Sequence, residues 1–388
     1  MNLNTRTQIL LVSHFAFKDE GKGEVFPQNI RNFLLDKVGK LTYIDHPFPE
    51  ANFPASQMTI YKEGVKNYQL TSPKIKLPTL ILFIYQLFVT VFFIIIKPVK
   101  YDLCIACDNL SLVAAFLLKK IGLIERIVYY TVDYTPQRYA NTFLNNLYHY
   151  MDRVASGVSD TNWVTVKDMI SAKAQNGLNL KESAPFQVVP IGFNRENILV
   201  KPVNKTKKFN LIFIGVLYEK QGLQLVIKAL PKIIKKYPKV NLIIIGSGPY
   251  ENKIKSLVRQ YKLADHVRFT GYINDQQKVV DLLNDGGIGL ATYVPALGDF
   301  TYFADPSKIK LYLLCGLPVI TTNVPPIAKE IKKEKLGFVI NYSEDNLIDA
   351  LDSLFEREKT YLNYRKNVIQ KAKIYDNNLI LDKAFKEV

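Results

Sequence analysis

The residues best equipped for chemistry stand in 304–322, "ADPSKIKLYLLCGLPVITT". Pro306, Ser307 and Lys308 open an apolar, helix-patterned run that breaks at a glycine and a proline and passes into "VITT". A helix start leaves backbone N–H groups free at the positive end of its dipole, and proline suits the first turn. A hydroxyl and an ammonium at that place suit an anion such as phosphate. A capped, solvated helix start is the competing reading. In "YYTVDYTPQRY", Asp133 stands at a strand's carboxyl end, where sites form in parallel sheets. Arg138, five residues on, is placed to meet a phosphate or to hold Asp133 in a structural pair. In "HFAFKDEGKGEVF", Gly21 and Gly23 flank Lys22, but the spacing is not G-x-G-x-x-G, so a dinucleotide site is a poor fit. Cys104 and Cys107 in "LCIAC" have metal-like spacing, yet no second pair exists and the run reads as a buried strand. No metal site is expected. His14 at a strand end is either catalytic or a polar core residue, and His46, His149 and His266 form no functional pattern.

Composition limits the partners. The 388 residues suit two domains, and 48% hydrophobic with 22% charged residues describes a folded chain. A formal charge of +16 points to nucleic acid, an anionic membrane surface or phosphorylated substrates. Lysines are scattered without an arginine-rich arm or aromatic-basic interleaving, which argues against nucleic acid. Three cysteines exclude a disulfide framework and fit a reducing compartment. The apolar run in "MNLNTRTQILLVSHF" is too short for a signal peptide.

The elements that must position these residues alternate between strand and helix. "QILLVSH", "KLTYIDH", "MTIYK", "YDLCIACD", "RIVYYTVD", "ASGVSD" and "FQVVPIG" read as strands. "VFPQNIRNFLLDKVG", "LSLVAAFLLKKIG" and "NWVTVKDMISAKAQ" read as helices between them. The polar, basic "RENILVKPVNKTKKF" reads as a linker. The rhythm restarts with "NLIFIGVLYEKQG", an amphipathic "LQLVIKALPKIIKKY", then the strands "VNLIIIGSG", "HVRFTGY", "GIGLATY" and "LPVITT", with a helical tail from Glu344. The fold class is α/β: two Rossmann-like, doubly wound domains facing each other across a cleft. Their expected limits are 1–195 and 207–370, with 371–388 a C-terminal helix packing back on the first domain.

One segment departs from this rhythm. "LPTLILFIYQLFVTVFFIII", 77–96, has no charge and is flanked by Lys74, Lys76, Lys97 and Lys100. Its length could span a bilayer, but one crossing would put strands of the same sheet on opposite sides. A buried crossover helix, a helix in the membrane interface and a re-entrant hairpin remain. All-round apolarity with lysines at both ends favours monotopic membrane contact.

In order and spacing, "FIGVLYEKQGLQLVIKAL", "LIIIGSGPYENKIKSLV", "HVRFTGYI" and "DPSKIKLYLLCGLPVITT" resemble the nucleotide-binding domain of the retaining, family-four glycosyltransferases of GT-B type. "MDRVASGVSDTNWVTVKDMISAK" with "VVPIGFN" is similar to the end of that family's acceptor domain. The resemblance implies that Gly215 and Lys220 face the donor diphosphate, with Val216 where an arginine often stands, and that Gly246 lies in the same donor site. It makes Ser307 and Lys308 the second phosphate contact, and Tyr272 and Ile273 the segment whose backbone reads the base. Gly23 matches a loop approaching the diphosphate from the other domain, and Asp133 the position beside the reacting sugar. The family's ribose-binding glutamate aligns with Leu311, which cannot do that job; an earlier acid near the sugar falls at Phe303, with Asp299 and Asp305 the nearest acids.

The implied enzyme is a hexosyltransferase-type glycosyltransferase that moves a sugar from a UDP- or GDP-linked donor with retention. No Asp-x-Asp pair occurs, so Lys220 and Lys308 replace a metal in neutralising the leaving diphosphate, and no cofactor is expected. Asp133, Lys220 and Lys308 are the catalytic candidates, with Arg138 and Asp305 among the donor contacts. The apolar segment and the charge point to a lipid-linked or surface-glycan acceptor and to the inner face of a membrane in the cytoplasm. A nucleotide-sugar epimerase on the same scaffold and an inactive binding protein are the alternatives.

Overall fold

A computed structural model of the chain describes residues 1–15, 26–48, 55–202, 206–296 and 300–388. They divide into two units: the described residues up to Ile191 with Asn377–Val388, and Gly192–Asp376.

The first unit runs β1 (Gln8–Phe15), α1 (Gln28–Leu35), β2 (Lys40–Pro47), β3 (Gln57–Lys62), β4 (Val65–Thr71), α2 (Thr79–Ile96), β5 (Tyr101–Ala106), α3 (Asn109–Lys120), β6 (Ile124–Thr131), α4 (Thr142–Val158), β7 (Thr161–Val164), α5 (Asp168–Gln175) and β8 (Phe186–Val188). The sheet order is β4-β3-β2-β1-β5-β6-β7-β8. Ile9, Leu10, Leu11 and Val12 are all fully buried, because helices cover both faces of the central strands. α2, α3 and α4 pack on one face with Val89, Phe93, Leu112, Leu118 and Ala155. α1 and the last helix, Asn377–Lys386, pack on the other, where Phe33 stacks on Phe385.

Three expectations are corrected here. β3 pairs antiparallel with β2 and β4, so the sheet is not wholly parallel. The unforeseen β4 follows a two-residue turn at Glu63 and Gly64, both with positive φ, and its polar, largely exposed sequence suits an edge. "ASGVSD" is not a strand: its first residues end α4, which buries Ala155 and Ser156. The strand starts in the stretch expected to be helical, at "TNWV", because Trp163 is fully buried edge-on between Tyr130 and Phe385.

The uncharged segment forms one unbroken helix crossing from β4 to β5, not a re-entrant hairpin. Its inner row, including Leu82, Gln86, Val89, Thr90 and Phe93, is buried. Its outer row of Leu80, Ile84, Phe88, Phe92 and Ile95 is exposed, Phe88 to 64%. The 18 residues span about 27 Å at 1.5 Å per residue. Among the described residues this is one helix long and apolar enough to cross a membrane, by length and composition.

The second unit runs β9 (Asn210–Ile214), α6 (Leu223–Lys236), β10 (Asn241–Ile245), α7 (Glu251–Gln260), β11 (Val267–Gly271), α8 (Gln276–Asn284), β12 (Ile288–Ala291), α9 (Ser307–Leu314), β13 (Val319–Thr322), α10 (Ala328–Lys333), β14 (Gly337–Ile340), α11 (Glu344–Phe355) and α12 (Glu358–Lys371). Its sheet, β11-β10-β9-β12-β13-β14, is parallel throughout. The order reverses between β9 and β12, so the crevice beyond their carboxyl ends is where a ligand is expected.

Candidate functional site

The β9/β12 crevice is built from three loops. Gly215 follows β9 with φ +137°, and its N–H donates to Ile245 O at 3.0 Å. Gly246 follows β10, and a Cβ there would lie 2.1 Å from Gly215 O, so only glycine lets the two loops meet. A Cβ on Gly215 itself would lie 3.3 Å from Lys308 Nζ. Lys308, in the first turn of α9, therefore reaches back to the end of β9.

Its ammonium sits 4.4 Å from the Phe213 ring centroid and 4.9 Å from that of Tyr293, and donates to Gln221 Oε1. Burial among these groups lowers its pKa to about 7. A lysine there exchanges charge near neutrality, while a bound anion would favour the ammonium. Lys220 lies in the single turn Glu219–Gln221, its Nζ 3.8 Å from the Phe300 centroid. Its carbonyl accepts from Val294 N at 3.0 Å, which ties this turn to the loop after β12. The structure thus brings Gly215, Gly246 and Lys308 together, with Lys220 next in sequence to the Gln221 that holds Lys308.

The remaining predicted residues occupy different settings. Ser307 is exposed at the start of α9 and makes no side-chain cap. Asp305 forms an ion pair with Lys310, and both side chains are almost wholly buried. Val216 is half-exposed beside Gly215, and Tyr272 projects at 70% exposure while Ile273 packs on the core. Leu311 is buried in that core. Gly21, Lys22, Gly23 and Asp299 lie outside the described residues. Sequence reasoning missed Phe213, Gln221 and Tyr293, because a ring under an ammonium leaves no motif. Tyr312 was missed too; its hydroxyl accepts from Ile214 N at 2.7 Å and fixes α9 against β9.

In the first unit, Asp133 and Arg138 are exposed on the loop after β6. Arg138 lies 5.8 Å from the Tyr148 centroid, and its N–H donates to Asn145 Oδ1 at 2.8 Å. His149 Nε2 donates to Pro136 O at 2.8 Å, leaving Nδ1 to accept from Tyr134. Beneath the loop, Asp152 takes bonds from Tyr129 and Lys173, whose amine is pushed down by burial. His149, which showed no pattern in sequence, holds the candidate loop in shape.

His14 and His46 belong to a second polar cluster. His14 Nδ1 meets Asp108 Oδ2 at 2.8 Å and Nε2 meets Gln86 Oε1 at 3.1 Å, while Gln86 Nε2 donates to Pro47 O. Asp108 also accepts from Leu110 N, Ser111 N and Ser111 Oγ, so its oxygens are fully occupied in capping α3. His46 stacks on His14 at 4.8 Å and bonds Ser56 and Thr90. Burial, then the His14 charge, holds its pKa well below the usual histidine value. This network explains why the inner row of α2 keeps Gln86 and Thr90. Cys104 and Cys107 face different core clusters on opposite faces of the sheet, and burial raises both thiols, so they cannot share an ion.

Two doubly wound units, the second with a glycine- and lysine-lined crevice at its switch point, define the GT-B class of fold. A crystal structure of HepE from Anabaena in complex with UDP matches with a TM-score of 0.69 and 15% identity, covering 98% of this chain and 100% of that one. Residues 208–357, within the second unit, match the family model described as Glycosyl transferases group 1. The gpi3 subunit of phosphatidylinositol N-acetylglucosaminyltransferase from Schizosaccharomyces pombe is 30% identical over 169 residues, 43% of this chain and 35% of its own. The putative colanic acid biosynthesis glycosyltransferase WcaL of Escherichia coli is 22% identical over 251 residues, 63% and 58% of the two chains. The chain thus spans about a third to somewhat over half the length of these relatives.

Proposed function

We propose that the protein is a glycosyltransferase that takes a sugar from a UDP- or GDP-linked donor. The observation that carries this is Lys308 Nζ set against Gly215 at the β9/β12 switch point. Backbone N–H groups at the start of α9, Lys308 and Lys220 would stabilise the departing diphosphate without a metal and without reorganisation. The sugar would pass with retention to an acceptor held by the first unit, with Asp133 and Arg138 on its loop. The relatives act, by name, on a phosphatidylinositol and in colanic acid synthesis, which supports a lipid-linked or surface-glycan acceptor. The exposed outer row of α2, flanked by lysines, supports monotopic contact with the cytoplasmic face of a membrane.

Titration calorimetry with UDP and GDP tests the donor site. One nucleotide should bind, and Lys308→Ala and Lys220→Ala should each weaken it about tenfold or more, the worth of one charge-assisted contact. Unchanged affinity in both variants removes these lysines from the site. A second reading, an inactive donor-binding relative, draws on the burial of Leu311 where a ribose-binding glutamate would stand. Release of free nucleotide from a donor with acceptor present separates the two.

A further inference from the structure

The proposed membrane contact of α2 is not confined to α2. Successive right-handed crossovers moving in one direction along a sheet lie on the same face, and α2, α3 and α4 obey this rule. Their inner faces share one core, so their outer faces form one continuous layer. α3 adds exposed Leu117 and Ile121 to that surface. α4 adds Phe143, Leu147, Tyr150 and Val154, at intervals of four, three and four residues, which is one side of a helix. Phe143 is 73% exposed. Of the charged residues of α4, Asp152 is buried with Lys173 on the opposite side, while Arg153 flanks the stripe, donating to Asn176 O at 3.0 Å with its guanidinium 6.0 Å from the Tyr150 ring centroid.

Isolated exposed apolar residues are ordinary, but a stripe on three adjacent helices is a site. Its charge pattern selects the occupant. All three helices run against the strands, so the carboxyl ends of α2 and α3 share an edge. Lys97 and Lys100 just beyond α2 and Lys119 and Lys120 at the end of α3 lie at this edge, against three acids: Asp160, which pairs with Lys119 at 2.6 Å, Asp102, which accepts from Gln8 N, and the exposed Glu125. An uncharged face with a basic margin matches an anionic bilayer surface.

Resting on the reading of α2 as a membrane contact, we propose that α3 and α4 complete one lipid-binding face, with α4 as a second foot. Two feet fix how the first unit's sheet meets the bilayer, where a single helix could roll. The loop 132–141 leads directly into α4 and carries Asp133 and Arg138. The second foot therefore holds the candidate acceptor loop at a set height above the lipid surface.

The test is flotation of the full chain with vesicles of phosphatidylglycerol and phosphatidylethanolamine, beside vesicles of phosphatidylcholine alone. Wild type should float with the anionic vesicles and less with the neutral ones. F143S/L147S/V154S should need about tenfold or more lipid for half-binding, with its melting curve recorded beside it because Leu147 and Val154 are only 40% and 43% exposed. Phe143→Ser alone should show the same direction with no risk to packing. I84S/F88S/F92S, on the outer row of α2, is the companion variant. If it loses binding while the α4 variants bind like wild type, the second foot is wrong and the α2 contact stands. If wild type does not float at all, the α2 reading fails and the larger face with it. A wild-type dimer in solution that the α4 variants make monomeric, without change in flotation, would also overturn the proposal.

Discussion

Lys308 should make donor binding consume a proton. Its amine lies among Phe213, Tyr293 and Gln221, and burial alone brings its pKa from 10.5 to about 7. In the free protein at pH 8 about nine-tenths of the amines are neutral, and a bound diphosphate would restore the charge. Binding of UDP at pH 8 should then take up about 0.9 proton. Between pH 7.5 and 8.5, above the phosphate's own titration, Kd should rise about eightfold. Calorimetry in buffers of different ionisation enthalpy reads the proton directly. Lys308→Arg, charged at every accessible pH, should bind without proton uptake. Stability supplies an independent check. A lysine whose folded pKa is depressed costs stability below that pKa, and the cost fades as pH rises towards the unfolded value of 10.5. At ~1.4 kcal/mol per pH unit the cost is capped at about 5 kcal/mol, and solvent contact at the partly exposed side chain reduces it to a few. Lys308→Met should therefore melt higher than wild type at pH 6, with the gap closing as pH rises from 7 towards 10. Wild-type binding without proton uptake, or a Met variant that melts lower at pH 6, would refute the reasoning.

Sugar transfer should persist in excess EDTA, since the two lysines are proposed to do the work of a metal; silencing by chelation and rescue by magnesium or manganese would sink that mechanism. Gly246→Ala should cost about 2 to 4 kcal/mol of stability and weaken nucleotide binding together, because its Cβ would overlap Gly215 O at a φ of +128°. A melting curve and a UDP titration on the same sample read both, and an alanine variant indistinguishable from wild type would show that the two loops are not pressed together.

How much of this was legible depends on what kind of signal each residue leaves. The strands β9 to β13 were plain because each is a short apolar run ended by glycine or a turn, whereas β14, Gly337–Ile340, was not read as a strand. The start of α9 was visible in Pro306, Ser307 and Lys308 as residue types. What the amine of Lys308 touches was not, since Phe213 on β9 and Tyr293 just after β12 fall in runs read only as strand. The errors fell where one local pattern serves two structures. "ASGVSD" carries strand-like spacing, but the helical stripe running from His149 through Asp152 to Ala155 outweighs it. β4 is mostly polar and exposed, and its alternation comes down to Tyr68 and Leu70, too short a pattern to find.

The segment 77–96 shows the limit most sharply. Hydropathy treats its side chains as equivalent, and by that measure it is a uniform cylinder. The fold makes it two-sided by one means: Gln86 and Thr90, the polar residues of its inner row, meet His14, Pro47 and His46 at the ends of β1 and β2. Each of these polar groups would be costly against lipid and is satisfied against the sheet. Two side chains thus decide the rotation of the helix, and the rotation decides that Phe88 and Phe92 face outward while Phe93 is buried. A polar residue in an apolar run is then a statement of which side faces the protein. The stripe on α4 follows the same logic, with His149 and Asp152 turned inward to their partners and Phe143, Leu147 and Tyr150 left on the outside.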